Sequence, residues 1–386
     1  MYLATAVQPW QGLGVIMPAE PTLLLVGAGH AHLGVIDDWR RKGAPKGRTL
    51  LVEPLGAMQY SGMVPGWIAG EYRVSELSIP LAPLVEQAGI IWHQARLVAI
   101  DPQARVAKLD DGTEIAFDVC SIATGGAGQA ARTMGDDSRL LDIRPLDRFV
   151  SRWQVLREAE PQHRRVAVVG GGAGGVELAF GMRNSAHWRD LTVMLVTGRS
   201  GLLPSHSPSV RRRVARELAR QDIALLEEDA AFENGELVAG EQSLEPLDLV
   251  VTAIGSGAPD WPRESGLSVD ADGFIVVDRF NRASGHPHIF AVGDVARRTD
   301  REVAHSGVHA VYSGPVLARN LRRTLSGDEP ARSYSPSFMD FYLLNTCRGE
   351  AIASYASLGA QGRGWRVLKN WLDRRWIKRF TRPDAR

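Results

Sequence analysis

The sequence predicts an α/β protein built around two strand–turn–helix units, and three observations carry that prediction. Leu23-Leu24-Leu25-Val26 runs into Gly27-Ala28-Gly29-His30-Ala31-His32. Val166-Ala167-Val168-Val169 runs into Gly170-Gly171-Gly172-Ala173-Gly174-Gly175. Forty glycines are present in all, as suits a chain rich in tight strand-to-helix turns. Each apolar run reads as a buried strand, and each glycine cluster as a turn that lets a pyrophosphate approach backbone N–H groups at a helix N-terminus. Both units are therefore Rossmann-like dinucleotide-binding elements, and two dinucleotides held at once imply electron transfer between them.

The bulk numbers agree with an ordinary folded chain. At 386 residues, two or three domains are expected. A hydrophobic fraction of 44% and a net charge of +1 give no sign of a nucleic-acid partner. Cys120 and Cys347 are the only cysteines, 227 residues apart, so neither a disulfide framework nor a Cys-x-x-Cys dithiol can be read. No apolar run reaches the roughly 18–20 residues that span a bilayer. The N-terminus lacks a basic region followed by a long apolar stretch, which argues against secretion. Residues 1–19 fit no element and are expected to be a disordered extension, with Met17 as an alternative start.

Residues from about Pro21 to Leu55 read strand, turn, helix, strand. The second strand, Thr49–Val52, ends at Glu53. That acid lies 24 residues beyond Gly29, near the spacing of about 20 expected for a carboxylate on a ribose hydroxyl. Tyr60-Ser61-Gly62-Met63-Val64-Pro65-Gly66 is turn-rich and opens a helix. Strands follow around Ala95–Ile100, Arg105–Lys108 and Glu114–Ala116, the last two joined by an Asp110-Asp111-Gly112 turn. Val119–Ile122 then runs into Ala123-Thr124-Gly125-Gly126.

The second βαβ unit opens at Arg165, and its second strand is Thr192–Val196. A basic helix over Ser209–Gln221 and a strand over Leu247–Thr252 come next, the strand ending at Ala253-Ile254-Gly255. His288–Ala296 reads as a strand then a helix start, with Gly293-Asp294 at the junction. A helical pattern runs from Val303 to about Thr324. The tail from Ser337 reads as two strands and a basic amphipathic helix.

With these landmarks in order, the chain resembles the two-dinucleotide flavoproteins of the pyridine nucleotide-disulfide oxidoreductase superfamily. Its members include glutathione-reductase-like enzymes, type II NADH dehydrogenases and sulfide:quinone oxidoreductases. The matching features are the first glycine turn with Glu53, Ala123-Thr124-Gly125-Gly126, the second glycine turn, and Ile289-Phe290-Ala291-Val292-Gly293-Asp294. The resemblance implies that the first fold holds non-covalent FAD and that the second, inserted into it, takes NAD(P)H. Expected boundaries are an extension at 1–19, an FAD domain at 20–145 and 269–330, an NAD(P)H domain at 146–268, and a C-terminal region at 331–386.

A narrower likeness also appears. Gly27–His32, Ser61-Gly62-Met63-Val64-Pro65-Gly66-Trp67-Ile68-Ala69-Gly70 and Gly314-Pro315-Val316-Leu317-Ala318 resemble the flavoprotein module found ahead of selenide, water dikinase. Leu368–Trp376 is similar to tails in that subgroup and in type II NADH dehydrogenases.

The resemblance implies site residues. FAD would be held by Gly27, Gly29, His30, His32, Glu53, Ser61, Pro65, Ala123, Thr124, Gly125, Gly126, Gly293, Asp294 and Gly307, with Asp294 on the ribityl chain. NAD(P)H would be held by Gly170, Gly172, Gly175, Arg199 and Gly255. His32 stands where a third Gly or Ala is usual, so the first helix should sit slightly farther from its strand. The alternative for His30 and His32 is that one packs and the other caps or faces solvent; no metal site is expected. The strand ending at Val196-Thr197-Gly198-Arg199 carries no acid for the ribose diol. Arg199 could pair with a 2′-phosphate, favouring NADPH over NADH.

The resemblance to type II NADH dehydrogenases implies that Glu177 lies near the nicotinamide and flavin; it can equally be an acid stabilised by its helix N-terminus, and the two roles are compatible. His305 and His309, four apart on one predicted helix face, are candidates for relaying a proton to a reduced acceptor, with plain packing or surface roles as the alternative. Cys120 and Cys347 read as packing residues, so electrons should pass from flavin to acceptor without a redox disulfide.

Residues 361–386 carry nine Lys or Arg and two Asp. Trp365, Leu368, Leu372 and Trp376 form one helical stripe. A basic helix with aromatic anchors is the pattern of an interfacial membrane helix; the alternative is packing against a domain or a dimer partner. The expected function is therefore an FAD-dependent NAD(P)H oxidoreductase, type II NADH dehydrogenase-like, passing electrons to a small acceptor, a quinone first. It would be cytoplasmic and peripheral on the inner face of a membrane through residues 364–386, with a homodimer allowed and no nucleic-acid partner. Two other readings stand beside it: a soluble flavoenzyme acting on a sulfur or selenium compound, and a flavin-binding redox-sensing protein with little turnover.

Overall fold

A computed structural model describes residues 20–158, 164–188, 190–336 and 341–381. The expected N-terminal extension, residues 1–19, lies outside the described residues. The chain divides into two units.

The first unit comprises the described residues up to Gly56, together with Ala82–Gly125 and Pro259–Tyr334. Its main sheet has eight strands in the order Ala296–Arg298, Ile275–Val277, Arg282–Ala283, His286–Ala291, Val119–Ile122, Thr22–Val26, Arg48–Val52 and Ile91–His93. The five from His286–Ala291 to Ile91–His93 run parallel. Strand Thr22–Val26 is buried along its whole length. That is the pattern of a parallel strand covered on both faces, and it explains the unbroken apolar run. A three-stranded antiparallel sheet, Leu97–Asp101, Val106–Leu109 and Glu114–Ala116, packs its apolar side into the same core. The Asp110-Asp111-Gly112 turn forms, with Gly112 at φ +83°.

The second unit comprises Ala57–Leu81, Gly126–Ala258 and the described residues from Ser335. Its parallel sheet runs Leu140–Asp142, Leu249–Thr252, Arg164–Val169, Leu191–Val196, Ile223–Leu226. Helix Pro208–Arg220 follows the second strand, capped by the Ser207 hydroxyl and opened by Pro208.

Several elements differ from the sequence reading. The division itself differs: residues 57–81, 126–145 and the C-terminal region all belong with the second nucleotide fold. The stretch after Gly293-Asp294 is not a helix start but a short strand, Ala296–Arg298. The following helix spans Gly307–Leu325, because the Ser306 hydroxyl accepts from His309 N and sets the cap there. The tail holds three strands rather than two, Phe341–Asn345, Ala351–Tyr355 and Leu358–Gly362, before helix Arg363–Thr381. Its first strand follows residues 337–340, which lie outside the described residues. Among the described residues no helix is long and apolar enough to cross a membrane.

Candidate active site

The first glycine turn is built for close backbone approach. Gly27 sits at φ +83°, and a Cβ on Gly29 would stand 2.5 Å from the Ala123 carbonyl oxygen. That oxygen accepts from Gly29 N at 3.2 Å, which brings Ala123 and Thr124 against the turn. Helix His30–Lys42 starts with no side-chain cap and no acid in its first turn. Its N–H groups and positive dipole end thus suit an anion. Glu53, at the end of the neighbouring strand, accepts from Ala28 N at 2.8 Å and Leu55 N at 3.0 Å. Backbone crowding, an uncapped helix end and a placed acid together fit a dinucleotide such as FAD.

His32 lies between the first glycine turn and the sheet. It is fully buried; its Nδ1 lies 2.5 Å from the Gly27 carbonyl oxygen and its Nε2 2.9 Å from Ser121 Oγ. A carbonyl can only accept, so Nδ1–H donates and Nε2 accepts a hydrogen bond from the Ser121 hydroxyl. Burial pushes its pKa down to about 4, against a smaller upward pull from the Gly27 bond. His32 is thus a neutral tie between turn and sheet, one residue inside the helix that bears His30.

Gly293 sits at φ +76° and Asp294 is buried. His305, Ser306 and His309 line one small cavity with Gly293, Arg298 and Tyr334. The two histidines do not share a helix face, because His305 precedes the helix cap. Its Nε2 donates to the Ala296 carbonyl at 3.1 Å, and its ring stands edge-on to Phe274. His309 Nδ1 lies 2.9 Å from the Tyr334 hydroxyl. These contacts anchor the loop ahead of Gly307.

In the second unit Gly170 and Gly175 are pressed together: a Cβ on Gly175 would collide with the Gly170 carbonyl oxygen. Helix Ala173–Arg183 begins at Gly172 without a side-chain cap. Gly255, at φ +90°, follows the adjoining strand end, where Gln129 donates to the Ile254 carbonyl. This turn too fits a dinucleotide. Arg199, the expected partner of a 2′-phosphate, has acids beside it. Its Nε lies 3.5 Å from Glu228 Oε2 and 3.7 Å from Asp229 Oδ2, while Asp229 also accepts from Arg199 N. Glu227 accepts from Leu202 N in the same loop. Glu227, Glu228 and Asp229 thus set three carboxyl groups beside this strand end.

Glu177 stands at the centre of a buried polar cluster. Its Oε1 accepts from Asn345 N at 2.8 Å and lies 3.7 Å from Lys369 Nζ. Lys369 donates to the Gly62 carbonyl at 3.2 Å and pairs with Asp373 Oδ2 at 3.3 Å. The Tyr60 hydroxyl donates to Asp373 Oδ1 at 3.1 Å. Burial raises the pKa of Glu177 and of Asp373, opposed by the Lys369 ammonium. Burial alone would lower Lys369, but the two carboxylates outweigh it and hold the ammonium well above its ordinary value. Ser61 and Pro65 lie in the segment beside this cluster, with Cys347 Sγ 3.7 Å from the Pro65 carbonyl oxygen. Burial raises both cysteine thiols well above their usual range, so neither is poised as a thiolate.

Of the three candidate catalytic residues, His305 and His309 fall in the first unit and Glu177 in the second. Sequence reasoning missed Lys369, Asp373 and Tyr60. The available signal was Asp373 itself, the one acid within a basic helix, four residues after Lys369. The helix turns Lys369, Asp373, Ile377 and Phe380 inward. The anticipated apolar stripe is only partly free: Trp376 stacks on Tyr60 and Trp365 meets Phe341. Val367, Trp371 and Leu372 remain exposed, as do Tyr355 and Leu358 of the preceding strands.

Comparison with known proteins fits this geometry. The family model described as pyridine nucleotide-disulphide oxidoreductase matches residues 21–314. Ferroptosis suppressor protein 1 of Xenopus laevis is 27% identical over 280 residues, 68% of this chain and 71% of that protein. Demethylphylloquinone reductase NdbB of Synechocystis is 26% identical over 305 residues, 73% of each. Among solved structures, NDH2 of Plasmodium falciparum in complex with NADH superposes with a TM-score of 0.76 at 13% identity, covering 94% of this chain and 96% of that one. The sulfide:quinone oxidoreductase of Aquifex aeolicus gives 0.74 at 16% identity, covering 93% and 91%.

Proposed function

Because the chain belongs to the pyridine nucleotide-disulphide oxidoreductase family, we propose that it is an FAD-dependent NAD(P)H:quinone oxidoreductase that works without a redox disulfide. The observation that carries the reading is the buried Glu177–Lys369 pair in a chain with two dinucleotide turns and no thiol pair. Bound FAD supplies the two-electron carrier between nicotinamide and acceptor.

The residues supply position and charge. Gly27, Gly29 and the N-terminus of His30–Lys42 take the flavin pyrophosphate, Glu53 the ribose, and Asp294 the ribityl chain. Gly170, Gly172 and Gly175 take the nicotinamide dinucleotide. Quinone reduction consumes protons, and Glu177 with Lys369 is the buried pair able to hold one. A relative whose name states quinone chemistry, the demethylphylloquinone reductase, supports this acceptor class.

The exposed Val367, Trp371 and Leu372, flanked by Arg363, Arg375, Lys378 and Arg379, suit the interface of an anionic bilayer. That position, on the cytoplasmic face of a membrane, would bring the enzyme to a lipid-soluble acceptor. The test is the visible spectrum of the purified protein and its NADH-dependent reduction of a short-chain ubiquinone. A flavin spectrum with quinone turnover supports the reading. A protein that stays colourless and cannot be reconstituted with FAD overturns it.

A further inference from the structure

Asn281, in the first unit, is only 6% exposed. Its backbone is engaged on both sides: N donates to the Asp278 carbonyl at 3.0 Å, and its carbonyl accepts from Ala291 N at 2.9 Å. Its side-chain amide makes no hydrogen bond among the described residues. The φ of +67° explains why asparagine is tolerated at this turn, since it adopts the left-handed region more readily than most residues. It does not explain a buried amide with no protein partner, which native structures rarely keep. Asn281 lines a cavity of about 40 Å³, whose wall also includes Gly293, His305, Ser306, His309 and Ser313. That space has room for about three waters, at roughly 10–15 Å³ each.

The wall presents donors and acceptors together. Ser306 Oγ accepts from His309 N and keeps its own proton to give. Ser313 Oγ donates to the Ala310 carbonyl at 2.8 Å and keeps its lone pairs. His305 donates through Nε2 to the Ala296 carbonyl, which leaves Nδ1 an acceptor. The permanent charge on the wall, Arg298, is balanced by Asp300 through Nε at 2.9 Å and Nη2 at 2.7 Å. An anion needs donors and a cation needs acceptors; a mixed, charge-balanced set suits an uncharged ligand that does both. We propose that the cavity is a hydration site, in which about three ordered waters held by the Asn281 amide back the Gly293–Asp294 turn. Gly293 is part of the wall, and the strand that leads into the turn is bonded to Asn281 at Ala291. Asn281 is thereby a positioning residue for Asp294 on the ribityl chain, an inference that rests on the flavoprotein reading above.

Asn281→Gly tests this, because glycine keeps the left-handed backbone and removes only the amide. Oxygen-17 magnetic relaxation dispersion on the FAD-loaded protein counts long-lived internal waters, and the variant should hold fewer than the wild type. Its dissociation constant for FAD should rise about tenfold, the scale of one lost hydrogen bond. If asparagine serves the backbone alone, Asn281→Gly keeps both the water count and the FAD affinity of the wild type, which would overturn the inference. Lost water with unchanged FAD affinity would overturn the positioning role. Should the variant fail to fold, a crystal structure of the FAD-loaded wild type decides. Ordered waters bonded to the Asn281 amide support the site; a dry cavity, or an amide turned onto protein atoms, overturns it. A wild-type protein that binds no FAD would overturn the flavoprotein reading and the positioning role with it, while the water count still reads the site.

Discussion

Lys369 Nζ lies 3.7 Å from Glu177 Oε1, joining the C-terminal helix to the helix of the second glycine turn across 192 residues of chain. The pair is buried, and Asp373 shares the same ammonium. Replacing Lys369 by Met therefore leaves carboxylates buried without their counter-ion, a defect worth about 3–5 kcal/mol. Protonation relieves it, so the loss should be larger at pH 8 than at pH 5. Urea denaturation of Lys369→Met at both pH values, alongside Lys369→Arg, checks this. Equal stability of Lys369→Met and wild type at pH 8 would contradict it.

His32 gives a second dependence on pH. Its folded pKa is about 4, below the ordinary 6.5 of an unfolded histidine. The unfolded chain thus binds the proton first as pH falls. The stability that His32 contributes is complete above about 6.5 and is lost on acidification toward 4, by roughly 3 kcal/mol in all. His32→Gln keeps a polar side chain in the turn but cannot titrate. Its stability should vary less between pH 7 and pH 4.5 than that of the wild type, and matching slopes would refute the assignment.

The legibility of the sequence was uneven, for physical reasons. The strands Thr22–Val26, Val119–Ile122 and Leu249–Thr252 stood out because a parallel strand covered on both faces is an unbroken apolar run. The glycine turns stood out because Gly29 and Gly175 have no room for a Cβ. Glu53 was found by spacing alone. Lys369 and Asp373 were hidden because nothing local tells a buried charge from a solvated one; partners on distant segments, Glu177 and Tyr60, decide it. The acids beside Arg199 were hidden for the same reason, since Glu228 and Asp229 lie on the next strand's loop. For His32 the sequence leaves packing and cofactor contact both open, and only the distant partner Ser121, with the Gly27 carbonyl, fixes its two ring nitrogens.

For nucleotide choice, the acids around Arg199 predict that NADH reduces the flavin at least as well as NADPH. Glu228→Gln should improve NADPH several-fold relative to NADH by releasing Arg199 toward a 2′-phosphate. Comparing the two nucleotides with wild type and variant by initial rates checks this. A strong NADPH preference in the wild type, indifferent to Glu228→Gln, would refute it.

At the membrane, Trp371→Ser combined with Leu372→Ser should weaken cosedimentation with anionic liposomes while leaving the inward face of Lys369 and Asp373 in place. Each basic residue near such a surface contributes about 1 kcal/mol. Binding of the wild type should therefore fall as salt rises. Salt-independent binding, or binding unaffected by the double substitution, would show that this face is not the contact.

The central claim is that electrons from a nicotinamide reach a quinone through bound flavin with no thiol step. Anaerobic stopped-flow tests it directly: the flavin is reduced with one equivalent of NADH and the reduced protein is then mixed with a short-chain ubiquinone. The account predicts rapid bleaching by NADH, rapid return of the oxidised spectrum with quinone, and the same two phases in a Cys120→Ala, Cys347→Ala protein. Flavin that NADH reduces but quinone fails to reoxidise, or a reoxidation lost with the cysteines, would contradict it.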